Sequence, residues 1–338
     1  MNKMKIGVLC PSEIALRRFM PALQKHDDMV FAGVAVADKS EWFGVASDEM
    51  ISADKAKAEM FVADYGGKVY ASYLELIADN DVDCIYIPLP PALHFEWAKK
   101  VLENKKHVLL EKPFTTSLSC TQELIKMAED ADLALHENYM FQYHDQIHWI
   151  CSKLPELGEI RLFRIDFGFP FRGNNDFRYN KSLGGGALID CGGYTLKLAS
   201  LLLGETASIT DAALAYKCGF DVDICGLATL RNNEGISAQV SFGMDNDYRC
   251  SLDVWGSNGS LSTNRVFTAP VGFEPTVTLK NSDGAVDHKL KSDDSFANSI
   301  EQFKYCIQNS EARAANAKEI LAQARLLEQF VEICTTDH

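Results

Sequence analysis

The stretch Lys5-Ile6-Gly7-Val8-Leu9-Cys10-Pro11-Ser12-Glu13-Ile14-Ala15 sets a short apolar strand directly against a turn and the start of a helix. A strand feeding a helix is the first half of a βαβ unit, and the pattern repeats to about Glu137: short apolar runs alternate with helix-length amphipathic segments. Lys5–Leu9, Phe31–Ala37, Lys68–Tyr70, Cys84–Pro88, His107–Glu111 and Ala134–Glu137 are predicted as strands of one parallel sheet. Their near-continuous apolar character implies burial on both faces. The longer connection from Ser40 to Asp64 alternates alanine with charge and is expected to hold an extra helix.

After about Ile150 the period falls to two, in Glu159–Gly168, Ile209–Tyr216, Gly235–Phe242 and Cys250–Trp255, with turn-rich tips between them. A large, mostly antiparallel sheet is expected there. One helix interrupts it after Gly184-Gly185-Gly186 and ends at the cap Gly204, and helices over Ser295–Gln308 and Ala312–Ile333 close the chain. The expected class is α/β, divided into residues 1–137 and 138–338.

With 338 residues, each half is large enough to bury its own core. Acidic residues outnumber basic ones 47 to 33, and a net charge of −14 repels polyphosphate, so nucleic acid is not an expected partner. The ten cysteines form no C-x-x-C pair and read as reduced thiols of a cytoplasmic protein. The four-residue apolar run Ile6 to Leu9 is far short of a signal-peptide core, and Leu198 to Leu203 covers less than half of a membrane span of about 20 residues, so neither targeting nor membrane insertion is expected. His144 and His148 stand four apart, but without an H-E-x-x-H pattern they read as a partly exposed helix face, and no metal is expected.

The turn after the first strand is where a dinucleotide-binding fold aims helix amides at a pyrophosphate. A G-x-G-x-x-[GA] template laid on positions 10, 12 and 15 finds Cys10, Ser12 and Ala15, so only the last, the helix-packing position, is met. Ser12 fits either a helix cap or a phosphate ligand, and the same residues fit a capped surface turn with no ligand. Asp38 ends the second strand where a carboxylate holds adenosine ribose hydroxyls, which favours NAD over NADP, while the adjacent Lys39 offsets the charge.

Glu111-Lys112-Pro113 places a lysine at the carboxyl edge of the parallel sheet, where open α/β folds bind ligands; an ordinary exposed strand-end lysine fits the same residues. In the second half Asp190, Tyr194 and Lys197 are spaced to share one helical face. A tyrosine there suits proton donation to a carbonyl becoming an alkoxide, and equally suits simple packing.

These residues resemble the Gfo/Idh/MocA oxidoreductases over nearly the whole chain. The likeness runs through Ile14-Ala15, Pro21-Ala22-Leu23, Tyr86-Ile87-Pro88-Leu89-Pro90 with His94, Lys106-His107-Val108, Glu111-Lys112-Pro113, and Gly184 to Tyr194. Phe177-Arg178-Tyr179, Ser241-Phe242-Gly243-Met244, Trp255-Gly256-Ser257 and Arg265-Val266-Phe267 are similar to the nucleotide-sugar 3-ketoreductases of that family. The resemblance implies a Rossmann domain followed by a substrate-binding and oligomerisation domain with an open sheet, assembled as a homodimer or homotetramer with the Trp255 strand toward the partner. It implies NAD or NADP held by Cys10, Ser12, Glu13, Ile14, Asp38, Pro88, Leu89, Pro90, His94, Glu111 and Lys112. Cys10 departs from the family's usual first glycine, and Tyr194 and Lys197 from its commoner His and Asp.

The implied reaction moves hydride between the nicotinamide and a sugar or nucleotide-sugar carbonyl or hydroxyl. Tyr194 is the expected proton donor and Lys112 its catalytic partner. Asp190 would bind a substrate hydroxyl or orient Lys112, and Arg178 would grip a substrate diphosphate. Cys10 leaves open a non-catalytic sugar- or nucleotide-binding protein, and a Tyr-type site also suits a dehydrogenase of free sugars, polyols or trans-dihydrodiols.

Overall fold

Strand β1 (Met4–Val8) leads through a turn into helix α1, whose first stretch, Ala15–Phe19, is π-helical and continues as Met20–Leu23. Strand β2 (Met29–Ala35), helix α2 (Asp48–Tyr65), β3 (Lys68–Tyr70) and α3 (Tyr73–Ala78) follow. Then come β4 (Cys84–Ile87), α4 (Pro91–Glu103), β5 (His107–Leu110), α5 (Leu118–Asp130) and β6 (Leu135–Glu137). The six strands are parallel in the order β3-β2-β1-β4-β5-β6, so the chain reverses direction across the sheet between β1 and β4. That point is where doubly wound sheets open a ligand crevice. All four residues of β4 are fully buried, as the unbroken apolar runs require. The helix expected between Ser40 and Asp64 is α2, capped by Ser47, whose side chain accepts the Met50 amide at 3.2 Å.

The remaining elements are α6 (Asp145–Lys153), β7 (Ile160–Gly168), a π-helical turn over Leu188–Gly192 running into α7 (Gly193–Leu203), β8 (Ser208–Tyr216) and β9 (Asp223–Arg231). They continue with β10 (Ser237–Gly243), β11 (Arg249–Gly256), β12 (Gly259–Asn264), β13 (Thr276–Asn281), β14 (Gly284–Lys289), α8 (Ser295–Gln308) and α9 (Ser310–Thr336). The second sheet has eight strands ordered β14-β13-β12-β11-β7-β10-β9-β8, antiparallel except for the β7–β10 pair. Strand β10 shows the alternation plainly: Ala238, Val240 and Phe242 are buried, while Gln239 and Ser241 face outward. Four strands, β9, β12, β13 and β14, escape the sequence reading. In β13 and β14, at the sheet edge, Thr276, Lys280, Asp287 and Lys289 blur the alternation; in β9 an exposed Leu227 interrupts it.

This computed structural model describes residues 3–42, 47–173 and 176–336. The chain forms two compact units. One comprises Met1–Thr115, Ser119–Asn138 and Phe296–Lys318; the other comprises Thr116–Leu118, Tyr139–Ser295 and Glu319–His338. The segment beyond residue 137 therefore contributes to both. Its return to the first unit is fixed by Phe296, Ile300 and Phe303, all buried, and by Ser299, whose hydroxyl lies 2.9 Å from His136 Nε2. The apolar run Lys181–Leu203 is long enough by composition to cross a membrane, unlike the shorter run read from sequence, but 78% of its most apolar window is buried inside the protein. His144 also differs from expectation: it is buried as the N-cap of α6, its ring accepting the Gln146 amide at 3.1 Å, while His148 is exposed.

Candidate active site

In the first unit the expected coenzyme residues gather at one edge. Leu9 donates to the Tyr86 carbonyl at 2.9 Å and Glu111 to the Ile87 carbonyl at 3.1 Å, which aligns the ends of β1, β4 and β5. Ser12 caps α1, its hydroxyl accepting the Ala15 amide at 3.2 Å, and Glu13 and Ile14 stand exposed at the helix start. The first amides of a helix have no intrahelical acceptor, so a diphosphate fits here without a complete glycine motif. Cys10 does not obstruct that position. Its thiol is buried beside the Tyr73 hydroxyl, and burial pushes it up to about 12, so it stays a neutral packing group.

Asp38 is exposed at the end of the β2 segment, with Oδ1 accepting the Ser40 amide at 2.9 Å and the Ser40 hydroxyl at 2.8 Å. The Ser40 amide, then its hydroxyl, hold the carboxyl below its ordinary range. Lys39 pairs with Asp48. Sequence reasoning missed Glu41, whose buried carboxylate accepts the amides of Asp38, Tyr73 and Leu74 at 2.8, 2.8 and 2.9 Å and so fixes this loop.

The Glu111-Lys112-Pro113 corner is held from beneath. Glu111 Oε1 accepts the Tyr86 hydroxyl at 2.7 Å and the Asn138 amide at 2.6 Å. Burial raises the Glu111 pKa, with those two donors working against the shift. Asn138 in turn accepts the Ser299 hydroxyl at 2.8 Å. His94 is fully buried, with Nδ1 2.8 Å from the Pro113 carbonyl and Nε2 2.7 Å from the Leu89 carbonyl, tying the loop after β4 to the corner. Burial lowers its pKa to about 4 despite these contacts, so the ring is neutral at pH 7. Pro88 and Leu89 are buried and Pro90 half-buried beside it. Lys112 is half-buried at the corner, after which the Lys112–Pro113 peptide is cis. Asn138, at the end of β6 as Glu111 is at the end of β5, was detectable only by that shared strand-end position.

The second unit carries Asp190 and Tyr194. A Cβ on Gly185 would strike the Arg178 carbonyl, and Gly186, at φ +127°, lets the Asp223 carboxylate approach and accept the Leu188 amide at 2.6 Å. An acid at a helix start is also electrostatically favourable. Asp190 lies in the π-helical turn and Tyr194 in the α-helix that continues it.

Asp190 Oδ2 accepts Arg178 Nε at 2.8 Å, while Arg178 Nη1 lies 3.1 Å from Asp176 Oδ1. Arg178, expected to grip a substrate diphosphate, has its guanidinium held by these two carboxylates through Nε and Nη1. Tyr194 is 9% exposed within a ring of aromatics. Tyr139 and Phe167 lie edge-on at 5.2 Å between centroids, with Phe267 at 5.7 Å and Phe141 at 5.8 Å. A Cβ on Gly193 would strike the Tyr139 hydroxyl, so glycine there lets that ring close over the helix start. Tyr139 and Phe141 come from one short helical turn and Phe167 from β7; Phe267 alone fell in a motif quoted from the sequence. Among the described residues, no group of three or more His, Cys, Asp or Glu side chains is arranged to hold a metal.

Comparison with known proteins gives concordant results for the two halves. A family model for oxidoreductases with an NAD-binding Rossmann fold matches residues 15–139, and the GFO/IDH/MocA C-terminal domain matches residues 155–262. The dTDP-3,4-didehydro-2,6-dideoxy-alpha-D-glucose 3-reductase of Actinomadura kijaniata is 35% identical over 329 residues, 97% of this chain and 94% of that one. The D-xylose 1-dehydrogenase (NADP(+)) 2 of Haloferax volcanii is 27% identical over 98% of each chain. The crystal structure of KijD10, a 3-ketoreductase from Actinomadura kijaniata, in complex with NADP and TDP-benzene is similar with a TM-score of 0.90 at 33% identity, across 98% of each chain. That enzyme has also been crystallised as tyrosine-to-phenylalanine and lysine-to-alanine variants. Sequence motifs, strand order and full-length likeness agree, and the chain belongs to the Gfo/Idh/MocA family of oxidoreductases, with an NAD-binding Rossmann domain.

Proposed function

We propose that this chain reduces the keto group of a nucleotide sugar, at C3 as the names of its relatives specify, with Lys112 and Tyr194 as its catalytic pair. The observation that carries the reading is the full-length likeness to 3-ketoreductases, joined to a Glu-Lys-Pro lysine and a tyrosine at the head of α7. NAD or NADP supplies the hydride when bound; the exposed start of α1, Asp38 and the Pro88–Pro90 loop would hold it.

Lys112 donates a hydrogen bond to the substrate oxygen and stabilises its developing charge, an effect worth about 3 kcal/mol for one preorganised donor. Tyr194 hands its phenolic proton to the same oxygen, and its aromatic surround limits how far the ring can turn. Asp190, fixed by Arg178, accepts a substrate hydroxyl. Replacing Lys112→Ala or Tyr194→Phe is expected to leave coenzyme binding nearly intact while slowing single-turnover hydride transfer at least about 100-fold. Near-normal transfer in both variants would reject the pair.

The xylose dehydrogenase likeness supports a second reading, a free-sugar substrate. Turnover of xylose exceeding that of a dTDP-linked keto sugar would favour it. We also propose a homodimer or homotetramer joined through the outer face of the eight-stranded sheet, where Trp255 is 63% and Leu227 50% exposed; sedimentation of Trp255→Lys as a monomer alongside an oligomeric wild type supports it, and a monomeric wild type removes it. A cytoplasmic location fits the cysteines, none of which forms a disulfide among the described residues.

A further inference from the structure

We infer that Phe171 and Phe220, backed by Tyr179 and flanked by Arg172, form the subsite that stacks the nucleobase of the substrate and meets its diphosphate. The inference rests on the nucleotide-sugar reading above and assigns residues to it. The three rings converge from separate segments of the second unit: Phe171 lies 4.8 Å and Phe220 5.4 Å from Tyr179 between centroids, and Phe171 and Phe220 are 5.9 Å apart. Phe171 is 42% exposed and Phe220 partly so, whereas Tyr179 is buried behind them. An aromatic cluster with open edges suits a base, because every base presents a π-face.

The platform is fixed before any ligand arrives. Tyr179 donates its hydroxyl to the Met244 carbonyl at 2.6 Å and accepts the Arg172 amide at 3.2 Å. Phe169 donates to the Gly243 carbonyl at 3.1 Å and accepts from the Asn246 amide at 3.1 Å, which pins the loop at its other end. Preorganisation of this kind lowers the ordering cost of binding.

Charge selects the occupant. Arg178 is consumed by Asp176 and Asp190, and Lys217 by Asp245. Exposed Arg172 lies over the Phe169 ring at 4.5 Å and has no carboxylate partner among the described residues. On a chain of net charge −14, an unneutralised guanidinium beside an open aromatic platform matches a base that carries phosphates. The platform also adjoins the reaction site along the chain, since Tyr179 follows the arginine that grips Asp190.

The test measures binding of thymidine 5′-diphosphate and of thymidine by calorimetry, with saturating NADPH present to fill the coenzyme's own nucleotide sites. Phe171→Ala with Phe220→Ala is expected to weaken both ligands at least about fivefold, the low end for one base–aromatic stack. Arg172→Gln is expected to weaken the diphosphate about tenfold and leave thymidine unchanged. Phe171→Ser, altering an exposed side chain alone, is expected to follow the double variant in direction. NADPH affinity should be unchanged throughout. Wild-type affinity for the diphosphate in all three variants overturns the subsite while the nucleotide-sugar reading survives. Equal losses for NADPH and the diphosphate overturn it as well, because the effect is then not local. An altered oligomeric mass with unaltered diphosphate affinity assigns the patch to a protein contact instead. A wild-type protein that binds NADPH but not the diphosphate rejects the nucleotide-sugar reading itself.

Discussion

The candidate sites of the two units are built from different chemistry. At the edge of the first unit proposed for the coenzyme, the exposed start of α1 offers backbone amides, while Cys10 is buried and His94 is enclosed between the Pro113 and Leu89 carbonyls. In the second unit the proposed groups are side chains: a carboxylate held by an arginine, and a phenol set among aromatic rings. A backbone site tolerates changes in residue identity as long as the chain path survives. A site made of side chains is specified atom by atom and loses function when one supporting partner is removed.

Arg178→Met breaks the second unit's arrangement most directly, because it strands Asp176 and Asp190 together. A loss of about 3 to 4 kcal/mol in urea-induced unfolding is expected, with a fall in turnover alongside; a neutral result would mean that solvent already serves both carboxylates. In the first unit His94 gives the counterpart. Its folded pKa of about 4 lies below the unfolded value near 6.5, so the unfolded chain binds the extra proton first. Its contribution is complete above pH 6.5 and is lost as pH falls toward 4, by at most about 3 kcal/mol. Thermal unfolding of His94→Asn across that window should show a shallower acid slope than the wild type.

Glu111→Leu leaves the Tyr86 hydroxyl and the Asn138 amide without their shared acceptor and should cost about 2 kcal/mol in chemical unfolding, whereas Glu111→Gln should cost less. The smallest effect belongs to Cys10. Cys10→Ser is expected to change coenzyme affinity less than about threefold by fluorescence titration, and the native thiol should resist alkylation at pH 8, where it is still protonated. A large loss of coenzyme affinity would blur the contrast, because the turn after β1 would then depend on the identity of its side chain.

That contrast explains what was readable. The strands β1, β4 and β5 and the corner Glu111-Lys112-Pro113 stand out because a sheet covered on both faces needs unbroken apolar runs, and what ends such a run is conspicuous. The Gly184–Gly186 turn stands out because a left-handed φ and a close backbone approach favour glycine. Strands β13 and β14 were illegible because an exposed sheet edge imposes little apolar alternation.

By itself the sequence determined the α/β class and the parallel sheet implied by repeated βαβ units, and it singled out the lysine and tyrosine that the family resemblance marks for chemistry. Only the tertiary structure decided that Cys10 faces the core, that Arg178 is spent on two carboxylates, and that Phe171, Tyr179 and Phe220 meet. The physical reason is range. Periodicity and turn chemistry act between neighbours along the chain, whereas the direction and partner of a side chain are settled by whatever distant segment folding brings against it.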